Sequence, residues 1–478
     1  MKKSFIIGSA AILLSLGSLT SCNNRTADAN STIYFWHTFG QGIQRVVDRL
    51  ATEFEQIILE EEGVTLDIVP EYQGGYDELS EKIVSGFPTG NTPTITVAYP
   101  DNVASYLYYE PTKGDYVVNL EDFINDSEVG LDKEEYLNPN SLGVSDFVPS
   151  FFEEGQNYIY EGTYSLPYMK STELMLYNRN IVAQVLIDMG IQIGVEAYMR
   201  NITWEQFMEV LNYVNQNKAR YGLEDEGEYP LFYDSDANLF ISQMYQRNIP
   251  YLSMDGTEGQ VLFNNDEAKA FVNEIKSMHD EGILLTKGTN NNEYGSNFFK
   301  NANCLFCVGS TGGSAYSDPG QSFEVGVCKF PVYTSAVGTE YAKYVSQGVT
   351  LALLRNPGDN ASVNDFKTTY GWKFMKFLTN TQNSIDACLG SAGYIPARYS
   401  SYQDEYYQEY LAETDYMSVC ANIIINDIDG EYFNYPVFMG SDVARDQVGG
   451  IITNVLAGNY TVEESFKQAY ENTIRAMN

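Results

Sequence analysis

Histidine is almost absent from this sequence: His37 and His279 are the only two among 478 residues. A His-rich metal centre is therefore excluded. Basic residues are also scarce, with 28 Lys and Arg against 64 Asp and Glu and a net charge of -36. A general nucleic-acid or anionic-membrane surface needs Lys and Arg to meet phosphate, so that class is excluded as well. The overall sign does not decide a pocket, where one arginine can reverse the local potential. After the first twenty residues no apolar run is long enough to span a bilayer. What the chain does have is core material: 38 Tyr and 25 Phe, in a length that suits two or three lobes. That aromatic content separates it from highly charged disordered chains.

The N-terminus reads as an address. Met1-Lys2-Lys3 is a short positive segment, and Phe5 to Thr20 is apolar, rich in small residues and too short for a membrane span. Leu19-Thr20-Ser21-Cys22 resembles the lipobox of bacterial lipoproteins. The resemblance implies a signal peptide over 1–21, cleavage before Cys22, and an acyl (palmitate-type) anchor on Cys22 that holds the protein at the membrane. Residues 22–31 are polar and small, a tether. The other cysteines are Cys304, Cys307, Cys328, Cys388 and Cys420. Cys304 and Cys307 sit in a run that reads as a buried strand, where positions three apart face opposite sides. The expectation is two diverging core thiols rather than a metal pair, with a disulfide among the five left open.

Thr32 to Trp36 reads as a strand, and Val46, Val47, Leu50, Phe54, Ile57 and Ile58 share one helix face. Val64, Leu66 and Ile68 alternate as a second strand, Tyr76 to Val84 forms a helix, and Thr94 to Ala98 forms a third strand. This alternation predicts a mostly parallel α/β sheet whose ligands lie at the carboxyl ends of strands. Trp36-His37-Thr38, Gln73 to Tyr76 and Tyr99 to Asp101 fall on that edge. Thr203, with Gln206 three residues on, is a capping box that starts a helix to Asn217. Further helices are expected at 265–281, 370–378 and 443–456, and a strand at 300–308 runs into Gly309-Ser310-Thr311-Gly312-Gly313-Ser314. That glycine-rich segment lacks the Lys of a Walker loop and is not a nucleophile elbow.

Several segments in order resemble one family. They are Phe35-Trp36-His37, Val47 to Phe54, Gly75 to Leu79, Gly90 to Ile95, Leu166-Pro167-Tyr168 with Ser171-Thr172, and Ile202 to Phe207. Gly309 to Ser314, Ala392 to Pro396 and Thr461 to Phe466 continue the pattern. Together they resemble family 1 extracellular solute-binding proteins, the substrate-capturing lipoproteins of ABC importers, of the sugar and glycerol-3-phosphate type. The resemblance implies an α/β, two-lobed flytrap in which each lobe is a mostly parallel sheet flanked by helices. It also implies three crossings, expected near Gly143, Asn297 and Gln347. Lobe one would then be 32–143 plus about 298–347, and lobe two 144–297 plus about 348–478. It further implies a monomer that holds a carbohydrate, or a glycerol-phosphate-like ligand, between lobes and delivers it to permease subunits outside the cytoplasm, with no cofactor, metal or catalytic residue.

Candidate ligand contacts follow. Trp36 and Tyr76 stand on loops after strands, where an aromatic face can cover a sugar or glycerol backbone; core packing is the alternative for each. Glycines in the 309–314 segment let backbone N–H groups approach an oxyanion, and a helix opening there would add to that, which singles out Ser310, Gly312 and Gly313. The resemblance places a binding hydroxyl at Ser171 or Thr172, a ring at Tyr394, a carboxylate near Asp101 and a ligand-binding guanidinium at Arg445. An Arg fork suits phosphate or carboxylate, whereas a surface pair with Asp442 would be worth little. The lobe-two loop reads Phe232-Tyr233-Asp234-Ser235-Asp236, without the tryptophans of the glycerol-phosphate branch. Two cleft carboxylates, Asp234 and Asp236, would disfavour phosphate and accept sugar hydroxyls; helix capping is the alternative for both. Rival functions are a surface lipoprotein that has lost its ligand and a glycosidase, which needs a carboxylate pair.

Overall fold

The computed structural model describes residues 29–109, 116–133, 143–225, 227–256, 258–333, 341–391 and 393–477. The signal segment, Cys22 and most of the tether lie outside the described residues. Two sheets organise the rest. In the first, the strands run in the order Ile395–Pro396, Leu166–Ser171, Gln347–Leu353, Ile95–Ala98, Thr32–His37 and Asp67–Tyr72. In the second they run Val325–Lys329, Glu173–Asn178, Cys304–Ser310, Tyr229–Tyr233 and Leu284–Thr286.

Local sequence explains the flanking helices. Gln41–Glu62 buries Ile43, Val47, Leu50, Phe54 and Ile58 along one face and stops at Gly63, whose φ of 70° few other residues accept. Helix Trp204–Gln216 starts on the expected box: Gln206 N donates to Thr203 Oγ1 at 3.2 Å, and Thr203 N donates to Gln206 Oε1 at 3.0 Å. Residues 370–378 form the second half of a longer helix, Ala361–Leu378.

The chain passes between lobes inside strands rather than through long connections. Leu166–Ser171 belongs to the first sheet, and after Thr172 the chain continues as Glu173–Asn178 in the second. It returns from Tyr344–Val345 into Gln347–Leu353. Thr172 Oγ1 donates to Val345 O at 2.7 Å and joins these two crossings. Tyr432–Phe433 pairs in parallel with Tyr344–Val345 and forms a third strand at the hinge. Helix Ser441–Leu456 follows and packs on helix Asp236–Gln246, while also touching Pro100–Tyr108 of the first lobe.

This path corrects the expected boundaries. Strands Cys304–Ser310 and Val325–Lys329, expected in lobe one, pair in the second sheet. Residues 144–171 and 348–396, expected in lobe two, build or cover the first: Val148 N donates to Ala397 O at 3.0 Å, and Gln347–Leu353 lies between Leu166–Ser171 and Ile95–Ala98. Gly143 and Asn297 therefore do not mark crossings. The sheets are also mixed rather than mostly parallel. The strands that enter from the other lobe, Gln347–Leu353 and Glu173–Asn178, run antiparallel to both neighbours because no crossover helix reverses them.

Among the described residues, no helix is long and apolar enough to cross a membrane and no cluster of three or more His, Cys, Asp or Glu could hold a metal ion. All five cysteines described are buried and unpaired. Cys304 and Cys307 are both buried core residues of strand Cys304–Ser310, and the neighbouring Cys304 thiol together with burial pushes the Cys307 pKa up. His37 is fully buried and stacked on Phe39 at 4.9 Å; burial lowers its pKa to about 4, and its Nδ1 accepts from Phe39 N at 3.2 Å.

Candidate ligand-binding site

A cleft of about 900 Å³ separates the lobes, and seven of the residues singled out in the sequence line it: Tyr76, Asp234, Ser310, Gly312, Gly313, Tyr394 and Arg445. The first-lobe wall is aromatic. Tyr76 packs against Tyr99 with ring centroids 4.5 Å apart, and Tyr394 lines the cleft beside them. Gly312 admits Tyr394: a Cβ there would lie 2.6 Å from the ring carbon Cζ. A Cβ on Gly393 would lie 1.9 Å from Thr311 O, so the two segments touch backbone to backbone.

The second-lobe wall carries the charge. Asp234 follows strand Tyr229–Tyr233, and its Oδ1 accepts from Gly295 N at 2.6 Å. Burial raises its pKa to about 6, opposed by that N–H and by Lys287. Glu173, which sequence reasoning passed over, opens the strand after Thr172. Its carboxylate accepts from Tyr233 Oη at 2.6 Å and Asn238 Nδ2 at 2.9 Å, yet burial still pushes it up to about 7. Arg445 Nη2 donates to the Oδ1 of the same Asn238. Glu173, Asn238 and Arg445 thus form one chain of hydrogen bonds that fixes the guanidinium. Among the described residues Arg445 makes no ion pair, so the surface bridge to Asp442 is not its role; Asp442 instead accepts from Ser105 Oγ at 2.8 Å. At the mouth stand Tyr316, 69% exposed, and Tyr294, 55% exposed, with the Lys287 ammonium 3.9 Å from the Tyr294 ring centroid.

Five expected contacts lie elsewhere. Trp36 is buried opposite Glu71 in the register of its sheet and donates Nε1 to Glu71 Oε2 at 2.8 Å. Ser171 and Thr172 sit inside the crossing: Ser171 Oγ is 3.2 Å from Ser310 Oγ, and Thr172 O accepts from Thr311 N at 2.9 Å. Asp101 lines a smaller cavity behind Arg445 rather than the cleft. Asp236 also leaves the cleft, accepting from Thr286 Oγ1 at 2.7 Å and Gly288 N at 2.9 Å, while Ser235 caps the helix. The expected helix after Gly309 is a seven-residue 3₁₀ segment, Thr311–Ser317, so it supplies hydroxyls and backbone edges rather than a helix terminus.

A cleft lined from both lobes, with strand crossings as its floor, is a solute-capturing arrangement, and sequence comparison agrees. The model of the bacterial extracellular solute-binding protein family matches residues 49–414. The chain belongs to that family. Among curated relatives of this solute-binding protein is the sn-glycerol-3-phosphate-binding periplasmic protein UgpB of Escherichia coli K12, 23% identical over 383 residues, covering 79% of this chain and 76% of the relative. UgpB of Salmonella paratyphi A is 22% identical over 383 residues, covering 78% and 76%. Among solved structures, Mycobacterium tuberculosis UgpB in complex with glycerophosphocholine superposes with a TM-score of 0.69 at 18% identity, covering 93% of this chain and 98% of that one. The GacH receptor of Streptomyces glaucescens gives 0.65 at 17%, covering 93% and 98%, and maltose-bound T. maritima MalE3 gives 0.65 at 14%, covering 93% and 99%. These structural likenesses speak for the two-lobed fold.

Proposed function

We propose that this solute-binding protein captures a glycerophosphate-class ligand between its lobes and delivers it to the membrane subunits of an ABC importer. The observation that carries the reading is Arg445, which faces the cleft without an ion-pair partner among the described residues while Asn238 and Glu173 hold it in place. A fixed guanidinium facing a cleft is suited to a bidentate bond with phosphate. Tyr76 and Tyr394 would cover the glycerol carbons, and Ser310 would meet its hydroxyls. The relatives named for glycerol-3-phosphate support the same class.

A neutral oligosaccharide is the second reading. It is favoured by the cleft's size, by Asp234 as a hydroxyl acceptor, and by the exposed Tyr294 and Tyr316 rings as platforms. We place the protein outside the cytoplasm as a monomer, cleaved after residue 21 and held by lipid on Cys22. Cys22→Ser should release it from the membrane fraction, and retention there would refute the anchor. A thermal-shift panel of glycerol 3-phosphate, glycerophosphodiesters, malto-oligosaccharides and polyols tests the ligand. Saturation at a hundred times Kd stabilises the fold by about 2.7 kcal/mol. A sugar hit alone replaces the first reading with the second, and no hit at all supports a surface protein without a transport ligand.

A further inference from the structure

Away from the cleft, a cavity of about 530 Å³ opens beside strand Val325–Lys329, the edge of the second sheet. That volume suits a small ligand. The strand offers the cavity an unfinished ladder. Arg179 N donates to Glu324 O at 2.9 Å, and the antiparallel register then sets Gly326 opposite Tyr177 and Cys328 opposite Met175. Residues of an antiparallel strand bond to one side and the other in alternation. Glu324, Gly326 and Cys328 therefore bond into the sheet. The N–H and C=O groups of Val325, Val327 and Lys329 point off its edge, where none has a partner among the described residues. Val327 and Lys329 are half-buried and line the cavity. Further along, the chain is already engaged, because Trp204 N donates to Val332 O at 3.1 Å. The open stretch is short. Natural sheets cover or charge their edges, and this one is left open in a recess.

The side chains around the recess leave one charge of each sign unpaired. Arg200 pairs with Asp427 at 3.1 Å and Glu196 pairs with Arg179. Lys329 makes no ion pair among the described residues, and its ammonium reaches only the backbone Asp427 O at 3.4 Å. Glu413 is exposed and likewise makes no ion pair among the described residues. Val327, Leu411, Val419 and Ile423 add aliphatic surface.

We infer that this cavity takes a short free peptide in extended conformation, added as one further strand along Val325–Lys329, with its carboxylate on Lys329 and its amine toward Glu413. A peptide backbone carries N–H and C=O groups at the spacing an open edge presents. Its two ends match the two unpaired charges, and the aliphatic wall suits an apolar side chain. The inference is independent of what the cleft captures.

The test is calorimetric titration of the purified protein with trivaline, its C-terminal amide and its N-acetyl form, with amide hydrogen exchange at residues 325–329 read on the same samples. The expected result is saturable binding of trivaline, at least about tenfold weaker binding of the amide and of the N-acetyl form, and slowed exchange of the Val327 and Lys329 N–H groups. Lys329→Gln should weaken trivaline at least about tenfold and leave the affinity of the amide unchanged. Glu413→Gln should in the same way weaken trivaline but not its N-acetyl form, and as an exposed position it keeps the test intact if the Lys329 variant folds poorly. Binding that survives both variants and leaves exchange at 325–329 unchanged would place the peptide elsewhere, the cleft included, and overturn the inference. Full binding of the N-acetyl form with the amide lost would assign the recess to the carboxyl end of a longer chain and overturn the free peptide as its ligand. No binding of trivaline would overturn the inference and leave capture in the cleft standing.

Discussion

Replacing Arg445 with Met tests the anion-holding role at its source. The side chain keeps much of its length and loses its donors. A hydrogen bond to a charged group contributes about 1.5–3 kcal/mol, and a fork on phosphate makes two such bonds. Glycerol 3-phosphate should therefore bind roughly a hundredfold to ten-thousandfold more weakly. The free protein pays a smaller penalty. Asn238 Oδ1 loses its donor, though Asn238 Nδ2 still bonds Glu173. Asp101, already raised by burial, loses the one neighbour that lowers it by charge and moves further up. One unsatisfied polar group costs about 1–3 kcal/mol. For a chain of 478 residues the unfolding entropy is about 1 kcal/mol per degree, so Tm should fall by about 1–3 °C. Calorimetric titration and thermal melts of both proteins read the two effects separately. Unchanged affinity for glycerol 3-phosphate, or an equal loss for a neutral sugar, would refute the assignment. A collapse in Tm would make Arg445 a structural residue.

Three other perturbations follow from the same geometry. Glu173 is raised to about 7 in the folded state from an ordinary value of 4.5, so its protonated form favours folding. Its contribution is full below about pH 4.5 and is lost as pH rises to about 7. Melts from pH 4.5 to 7 should show less decline in Glu173→Gln than in wild type, and parallel curves would contradict this. Arg398 and Asp146 form a buried pair in lobe one, 2% and 3% exposed, with Asp146 also accepting from Ser400 N at 2.8 Å. Arg398→Met should cost about 3–5 kcal/mol by stranding the carboxylate, and Arg398→Met with Asp146→Leu should recover much of it by denaturant titration; a double variant no more stable than the single would count against this. Gly312→Ala places a Cβ 2.6 Å from the Tyr394 ring. It should weaken ligand binding with less effect on Tm, and unchanged affinity would remove Tyr394 from the contact set.

Local features were legible in the sequence because their causes are local. The Thr203 and Gln206 pair, the apolar face of Gln41–Glu62 and the strand at Thr32 each depend on residues a few positions apart. The lobe crossings were not legible. Leu166 to Asn178 is one continuous buried run, and nothing in it marks Thr172 as the point where the chain changes sheets. Trp36 was misplaced for a related reason: its orientation depends on register against Glu71, thirty-five residues away. Glu173 left a signal that went unused, a lone acid between the apolar stretches of that run. Asp236 shows the reverse error, since a carboxylate beside the cleft loop can be consumed by Thr286 and Gly288.

Ligand-driven closure is the central claim, and small-angle scattering of the protein with and without saturating glycerol 3-phosphate tests it most directly. The hinge at Thr172, Val345 and Tyr432–Phe433 predicts a smaller radius of gyration on binding, and no change in Arg445→Met at the same concentration. An unchanged radius in the wild-type protein, with binding verified by titration in the same sample, would contradict capture between the lobes.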